Sequence, residues 1–349
     1  MKTSSRALGL LVACILTAVL IAYGNATGAN AVYDKHHPQI QAVMDVQNRH
    51  THKLMAIPDV VGTAVGLTDS GSPALLVFTR NAPGAGAIPQ GIEGIPVVVK
   101  VTGEFAAKKI VMSDKSAQRN TNTAIFPQPV PIGVSTGNIG ECSAGTISAR
   151  VKDGAGRFYA LSNNHVYALE NNAPRGSEVL QPGLYDTGCA FKGNNVIGTL
   201  YDFVPISFNS GTNTVDAAIA SSSTAQLGKA TPAGGYGVPN HITAAAYLGQ
   251  PVQKYGRTTS LTAGAVNGIN ATVAVSYGGS GSATFVDQIF VGSSKPFIKA
   301  GDSGSLLVTN NSQAYPVGLL FAGNSSGTFA IANRIDNVLS SFGVTVDGK

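Results

Sequence analysis

The sequence predicts an all-β protein of short strands and turns, closed by a C-terminal helix and preceded by a small α+β domain. Charged residues fill only 12% of the 349 positions, about half the usual share, while 42 positions are glycine. Over the last two thirds of the chain, apolar runs of strand length alternate with turns rich in Gly, Ser and Asn. Long helical patterns are scarce, and a chain of this length has room for a substantial core and more than one domain.

At the N-terminus, Lys2 and Arg6 precede the apolar run Ala7 to Tyr23, followed by Ala29-Asn30-Ala31, a small-x-small cleavage signal. This reads as a signal peptide over residues 1–31, so the protein is expected to be secreted or extracytoplasmic, with no stable membrane association after cleavage. Leu11-Val12-Ala13-Cys14 resembles a lipobox, but the apolar run continues from Ile15 to Ala22, so acylation at Cys14 would cut a membrane segment through its middle.

Residues 32–105 predict the small α+β domain. Ile40, Val43, Met44 and Leu54 recur at helical spacing, and strands follow at 60–67, 74–79 and 95–102. Residues 106–128 read as a polar linker. The main module is expected over 129–349, with a hairpin formed by 146–151, the turn Asp153-Gly154-Ala155-Gly156 and 157–161. Near its end Ile335, Val338, Leu339 and Phe342 repeat at helical spacing.

The chemistry is concentrated in Gly301-Asp302-Ser303-Gly304-Ser305. Two glycines let the backbone turn sharply and expose Ser303, and the amides of Gly301 and Ser303 can converge where an oxyanion would form. The following Leu306-Leu307-Val308 predicts a buried strand that holds this turn on a rigid element. A serine hydroxyl needs a base, and the base needs a group that fixes its tautomer. His165, in Asn163-Asn164-His165-Val166, stands where a strand runs into a polar turn. Asp216, in Thr214-Val215-Asp216-Ala217-Ala218-Ile219, opens an apolar strand, where an unpartnered carboxylate would be costly.

In the order His, Asp, Ser, these stretches resemble the chymotrypsin-like serine proteases. Together with Tyr255-Gly256-Arg257-Thr258-Thr259, they are more similar to a bacterial secreted trypsin-like branch, over roughly residues 130–345. The resemblance implies two six-stranded antiparallel barrels, the first two residues in one and the serine in the other. It assigns His165 as general base, Asp216 as orienting carboxylate, Ser303 as nucleophile and the Gly301 and Ser303 amides as oxyanion donors. By the same resemblance Phe297 lies at the base of the substrate pocket and Phe321-Ala322-Gly323 lines it. No acid stands there, so small or apolar side chains are expected before the cut bond rather than Lys or Arg. Relatives often pair the residue matching Asp302 with a new N-terminus after activation; this sequence has no clear Ile-Val-Gly-Gly start, which leaves the activation route open.

Other residues read more blandly. His36, His37, His50 and His52 are expected as solvated polar residues, and His50-Thr51-His52 lacks the spacing of a helical zinc site. His241 reads as a loop residue, Asp186 as a turn residue and Asp202 as part of a strand. Tyr277-Gly278-Gly279-Ser280-Gly281-Ser282 reads as a flexible hairpin tip. Without the leader, Cys142 and Cys189 form an even pair bracketing His165, which in an oxidising compartment predicts a disulfide contributing about 4 kcal/mol.

The expected function is a secreted serine endopeptidase acting on protein or peptide substrates, with no cofactor and no metal. The alternative is a catalytically inactive binding or adhesive protein on the same fold. The formal net charge of +5 falls to about +3 without Lys2 and Arg6, and no basic cluster suggests nucleic acid. Residues 32–105 are expected to act as a propeptide that assists folding or covers the cleft, or else to stay attached.

Overall fold

Helix α1 (Pro38–Met55) begins at a proline, whose missing N–H costs nothing in the first turn, and His37 caps it by accepting from Gln39 N–H at 3.3 Å. In this computed structural model the described residues are 32–349, without residues 85, 108, 112–119 and 210. The expected leader, including Cys14 and the cleavage signal, therefore lies outside the described residues. From Val32 to Lys349 the chain forms one unit.

Ile40, Val43 and Leu54 bury one face of α1 in the cluster that includes Val65, Leu75 and Val77. These last belong to β1 (Val60–Leu67) and β2 (Pro73–Thr79), which pair antiparallel. After the short β3 (Gly91–Ile92), β4 (Ile95–Val101) lies parallel to β2. The helix and three main strands thus match the reading of this segment, but it does not close into a sheet of its own. Its strand β1 has one polar side chain, Thr63, and is buried along almost its full length, so both edges need partners. One edge takes β2; the other joins the second sheet described below.

Two buried apolar anchors bracket the start of the stretch expected as a polar linker: Phe105, the last residue before it, and Ile110 within it. They form β5 (Phe105–Ala107) and β6 (Ile110–Val111), so this part of the linker is built into the structure.

The first sheet of the main module contains β7 (Ser135–Asn138), β8 (Ser143–Thr146), β9 (Ala149–Asp153) and β10 (Phe158–Ser162). After the one-turn helix α2 (Asn164–Tyr167) come β11 (Glu178–Leu180), β12 (Val196–Phe203), the bridge-like β13 (Thr212–Asn213) and β14 (Ala218–Ser222). The second sheet is built from β15 (Pro251–Gly256), β16 (Ser260–Ser276), β17 (Ser282–Gly292), β18 (Leu306–Thr309), β19 (Pro316–Gly323) and β20 (Phe329–Arg334). Helix α3 (Ile335–Phe342) and β21 (Val344–Val346) end the chain.

Strands β15 to β20 pair in a ring, β15–β16–β17–β20–β19–β18 and back to β15, which closes an antiparallel barrel of six strands. The nine-stranded first sheet runs β21-β9-β10-β14-β12-β11-β7-β8-β6, so β6 and β21 extend its two edges. With the helix α3 packed through Ile335, Val338 and Leu339, this is the chymotrypsin-like arrangement expected from the sequence. The addition is on β16, whose 17 residues outrun its barrel partners and pair antiparallel with β1, Gly62 opposite Val273. The β1–β2–β4 layer is therefore continuous with the barrel wall.

Cys142 and Cys189 are joined, with Cα atoms 5.2 Å apart and 47 residues between their positions. Replacing both by serine removes a loop constraint worth about 4 kcal/mol. We expect an unchanged fold at low temperature and a lower midpoint in guanidinium; an unchanged midpoint would show that the loop is held by other contacts.

Candidate active site

The serine turn is shaped by close backbone approach. Gly301 and Gly304 have φ of 94° and 93°, and a Cβ on Gly304 would stand 2.1 Å from the Thr146 carbonyl oxygen. Only glycine fits there. Thr146 of β8 donates its N–H to the Ser303 carbonyl at 2.7 Å and its hydroxyl to the Gly301 carbonyl at 2.8 Å. The turn is thus tied to the first sheet while Gly304 N–H bonds Leu320 of the second at 2.9 Å. Ser303 Oγ donates to the Phe321 carbonyl at 3.1 Å. The amides of Gly301 and Ser303, expected as oxyanion donors, flank Asp302 in this turn.

His165 sits in α2, three residues past the end of β10. The same space that excludes a side chain at Gly304 holds Ser162 Oγ, 2.3 Å from the position of that Cβ, so the serine turn abuts the strand end that leads to His165. Asp216 precedes β14, which pairs with β10, and the ladder brings the two together. Asp216 Oδ2 lies 2.5 Å from His165 Nδ1, and Oδ1 accepts the His165 backbone N–H at 3.1 Å. A carboxylate only accepts, so Nδ1 carries the proton and Nε2 presents a lone pair. Nε2 is buried, with no hydrogen-bond partner among the described residues. His165, Asp216 and Ser303 are all fully buried.

Asp216 is fixed from the second sheet as well. Its N–H donates to Asn333 Oδ1 at 2.9 Å; Asn333 Nδ2 donates to Gln288 Oε1 at 2.7 Å, and Gln288 Nε2 donates to the Thr214 carbonyl at 2.9 Å. The Tyr277 hydroxyl donates to Asp216 Oδ2 at 2.8 Å. Burial first, then the nearby Asp216 charge, pushes the Tyr277 phenol well above its ordinary range. None of Tyr277, Gln288 and Asn333 was singled out by motif. Asn333 and Gln288 could have been noticed as amides interrupting apolar strands, since buried polar groups need partners.

Two buried ion pairs frame the serine turn. Asp302 accepts from Thr258 N–H at 2.8 Å, Thr259 N–H at 3.1 Å, Thr259 Oγ1 at 2.7 Å and Lys299 N–H at 2.9 Å, with Lys254 Nζ at 3.4 Å. The partner of Asp302 is therefore a side chain rather than a chain terminus. Burial lowers the Lys254 pKa, and Asp302 opposes that shift. Asp186, read from sequence as an ordinary turn residue, is instead buried against Arg257, accepting Nε at 3.0 Å together with a short bond from Nη2 and Ser135 Oγ at 2.5 Å. A buried carboxylate must find donors, and the buried Arg257 guanidinium, just past the end of β15, supplies them.

The four residues assigned to the substrate pocket do not share one environment. Phe321 and Ala322 lie in the cluster with Phe285 and Phe290, the Phe321 ring 4.6 Å from Phe285. Phe297 lies in the other cluster of this barrel, with Leu307 and Leu320. Along the outer edge of the pocket strand the chain lays its own β5: Ala107 is opposite Ala322 and Ala106 opposite Gly323. On the other side of the serine turn, β6 pairs with β8, Ile110 opposite Ala144. Between them Lys109 forms ion pairs with Glu141 at 2.9 Å and Glu170 at 2.7 Å.

The rival residues are placed elsewhere. His241 Nδ1 bonds the Lys349 carbonyl at 2.6 Å, Asp202 pairs with Arg175 on the surface, and His50 pairs with Glu93. Among the described residues no group of three or more His, Cys, Asp or Glu is placed to hold a metal ion, and no helix is long and apolar enough to cross a membrane.

No protein-family model and no curated protein matches the chain. Among solved structures it is similar, at 22% identity and a TM-score of 0.44 over 62% of its length and 100% of the other chain, to a glutamic-acid-specific serine protease that uses a histidine triad in substrate binding. Protease A of Thermobifida fusca is similar at 19% identity and a TM-score of 0.44, over 63% of this chain and 100% of that one. A chymotrypsin of Cellulomonas bogoriensis is similar at 20% identity and a TM-score of 0.42, over 63% and 99%.

Replacing Lys254 by Met strands the Asp302 charge in the interior, a loss of about 3–5 kcal/mol. Urea unfolding of Lys254→Met should show this, and Lys254→Met with Asp302→Asn should recover most of it. Equal stability of Lys254→Met and the parent would mean that the backbone donors alone hold Asp302.

Proposed function

We propose that this protein is an exported serine endopeptidase. The observation that carries the reading is a histidine oriented through Nδ1 by a buried carboxylate, with Nε2 left unspent beside a glycine-framed serine turn. Ser303 Oγ attacks the carbonyl of a peptide bond while Nε2 takes its proton. The amides of Gly301 and Ser303 stabilise the oxyanion, and the imidazolium, balanced by Asp216, passes the proton to the leaving amine. Water then repeats the sequence on the acyl-enzyme. The role of Asp216 is to hold the tautomer and offset the transient charge.

The described state is read as latent. Three observations support this: the burial of all three reactive side chains, β5 lying antiparallel to the pocket strand, and β6 on the edge of β8. In this reading residues 32–107 are a propeptide whose last strand covers the groove until the following stretch is cut. The side chains that the protein itself lays against Ala322 and Gly323 are Ala107 and Ala106, which supports a preference for small or apolar residues.

A fluorophosphonate probe tests the chemistry. Cutting the full chain at a protease site engineered between residues 112 and 119 should raise the labelling rate at least about tenfold, and Ser303→Ala should abolish labelling in both forms. Labelling of the Ser303→Ala variant would place the nucleophile elsewhere. No labelling even after the cut would favour the second reading that the buried triad allows, a binding protein on this fold. The cut enzyme should cleave alanyl or leucyl substrates faster than lysyl ones; the reverse order would refute the pocket assignment.

A further inference from the structure

We propose that Tyr277 is a positioning residue of the catalytic apparatus, its hydroxyl fixing the Asp216 carboxylate that orients His165. The inference rests on the reading of Ser303 as nucleophile, but it concerns a residue that reading does not use. Tyr277 follows the last residue of β16, in the segment that the sequence suggested was a flexible hairpin tip. It is buried rather than loose. Its ring meets the His165 imidazole edge-on with centroids 5.8 Å apart, and it is stacked on Phe285 at 6.2 Å and edge-on to Phe208 at 5.4 Å.

The direction of the hydrogen bond follows from the chemistry. An ionised carboxylate only accepts, and the phenol keeps its proton through the range in which histidine titrates, so the hydroxyl donates to Oδ2. Oδ2 then carries two donors, Tyr277 Oη at 2.8 Å and His165 Nδ1 at 2.5 Å, while Oδ1 carries the His165 backbone N–H. Among the described residues Tyr277 supplies the one hydroxyl on this carboxylate. With three donors from two sheets the carboxylate cannot rotate about its Cβ–Cγ bond, and the direction of Nδ1–H is set by it.

The hydroxyl also tunes basicity. By sharing the Oδ2 charge, it weakens the pull of Asp216 on an imidazolium. Other charges facing this region are Glu170, whose field also acts on the Tyr277 phenol, and Lys109, which is paired with Glu170 and Glu141. Both are unaltered by a change at Tyr277. Removing the hydroxyl should therefore leave Asp216 more basic and raise the pKa of His165.

The test is Tyr277→Phe in the full chain, cut as above. We expect kcat to fall about tenfold with KM within about twofold, and the acid limb of the kcat/KM profile to move to higher pH. In the Ser303→Ala background, NMR titration of the His165 ring should show the same upward shift without any need for turnover. If the enzyme reading fails, that titration still decides the positioning role. As a packing control, Phe285→Leu keeps the hydroxyl and should lower stability without moving the acid limb or the ring titration. An unchanged His165 titration in Tyr277→Phe, or an equal shift in Phe285→Leu, would overturn the proposal.

Discussion

The Asp216 carboxylate is the constraint on which the arrangement of the two sheets depends. It is fully buried and charged, and a lone carboxylate in that position would cost several kcal/mol. Its donors come from both sides of the interface, His165 from the first sheet and Tyr277 from the second, while its own backbone N–H donates to Asn333 Oδ1 of the second. A slip of one sheet past the other breaks several of these bonds together. The apolar cluster that joins β10 and β14 to β18, β19 and α3 supplies the attraction between the sheets, while the polar contacts select one register. Dispersion and area burial would tolerate small slides; hydrogen bonds to a buried charge do not.

The serine turn obeys the same logic with two further charges. Asp302 is matched by Lys254, and Asp186 by Arg257, all four side chains buried. Each pair has a member on β15 or the turn after it, so this one segment secures the turn from beneath and the first sheet from the side. Breaking one such pair costs about 3–5 kcal/mol against a typical total stability of 5–15 kcal/mol. The site is therefore folded as a unit with the interface or not at all. The internal Lys254 gives Asp302 a side-chain partner, so the turn is already held in this shape with the chain uncut.

What was legible in the sequence was local. Glycines at 301 and 304 announced the turn because backbone geometry alone demands them, and the α3 face and the β9–β10 hairpin followed from periodicity within a dozen residues. His165, Asp216 and Ser303 stood out as candidates through the short stretches around them. The pairing of β1 with β16 was not, because the register between strands some 200 residues apart leaves no local mark in either one. Phe105 and Ile110 were lost in a polar surround, since a two- or three-residue strand has no period to detect. Tyr277 was misjudged for a related reason: glycines on one side predicted looseness, but the ring is held by Phe285, Phe208 and His165, which come from three other parts of the chain.

The cover and the catalytic network meet on one strand. β5 pairs with both β19 and β16, Phe105 opposite Val275 and Ala106 opposite Ser276, the two residues that precede Tyr277. Phe105 itself is buried with Phe285, Phe290 and Phe321, so its ring shares the packing that supports Tyr277 and the pocket strand. The segment that lies along β19 thus also braces the hairpin from which Asp216 receives its third donor. Without β5, β16 would lack backbone partners at Val275 and Ser276, and the ring cluster would lack one of its members. What remains to hold Tyr277 is the antiparallel ladder with β17, Val275 opposite Ala283 and Ser276 opposite Ser282. A closed six-stranded barrel keeps that ladder intact without the added strand, which is why a groove can be uncovered here without dissolving the carboxylate's support.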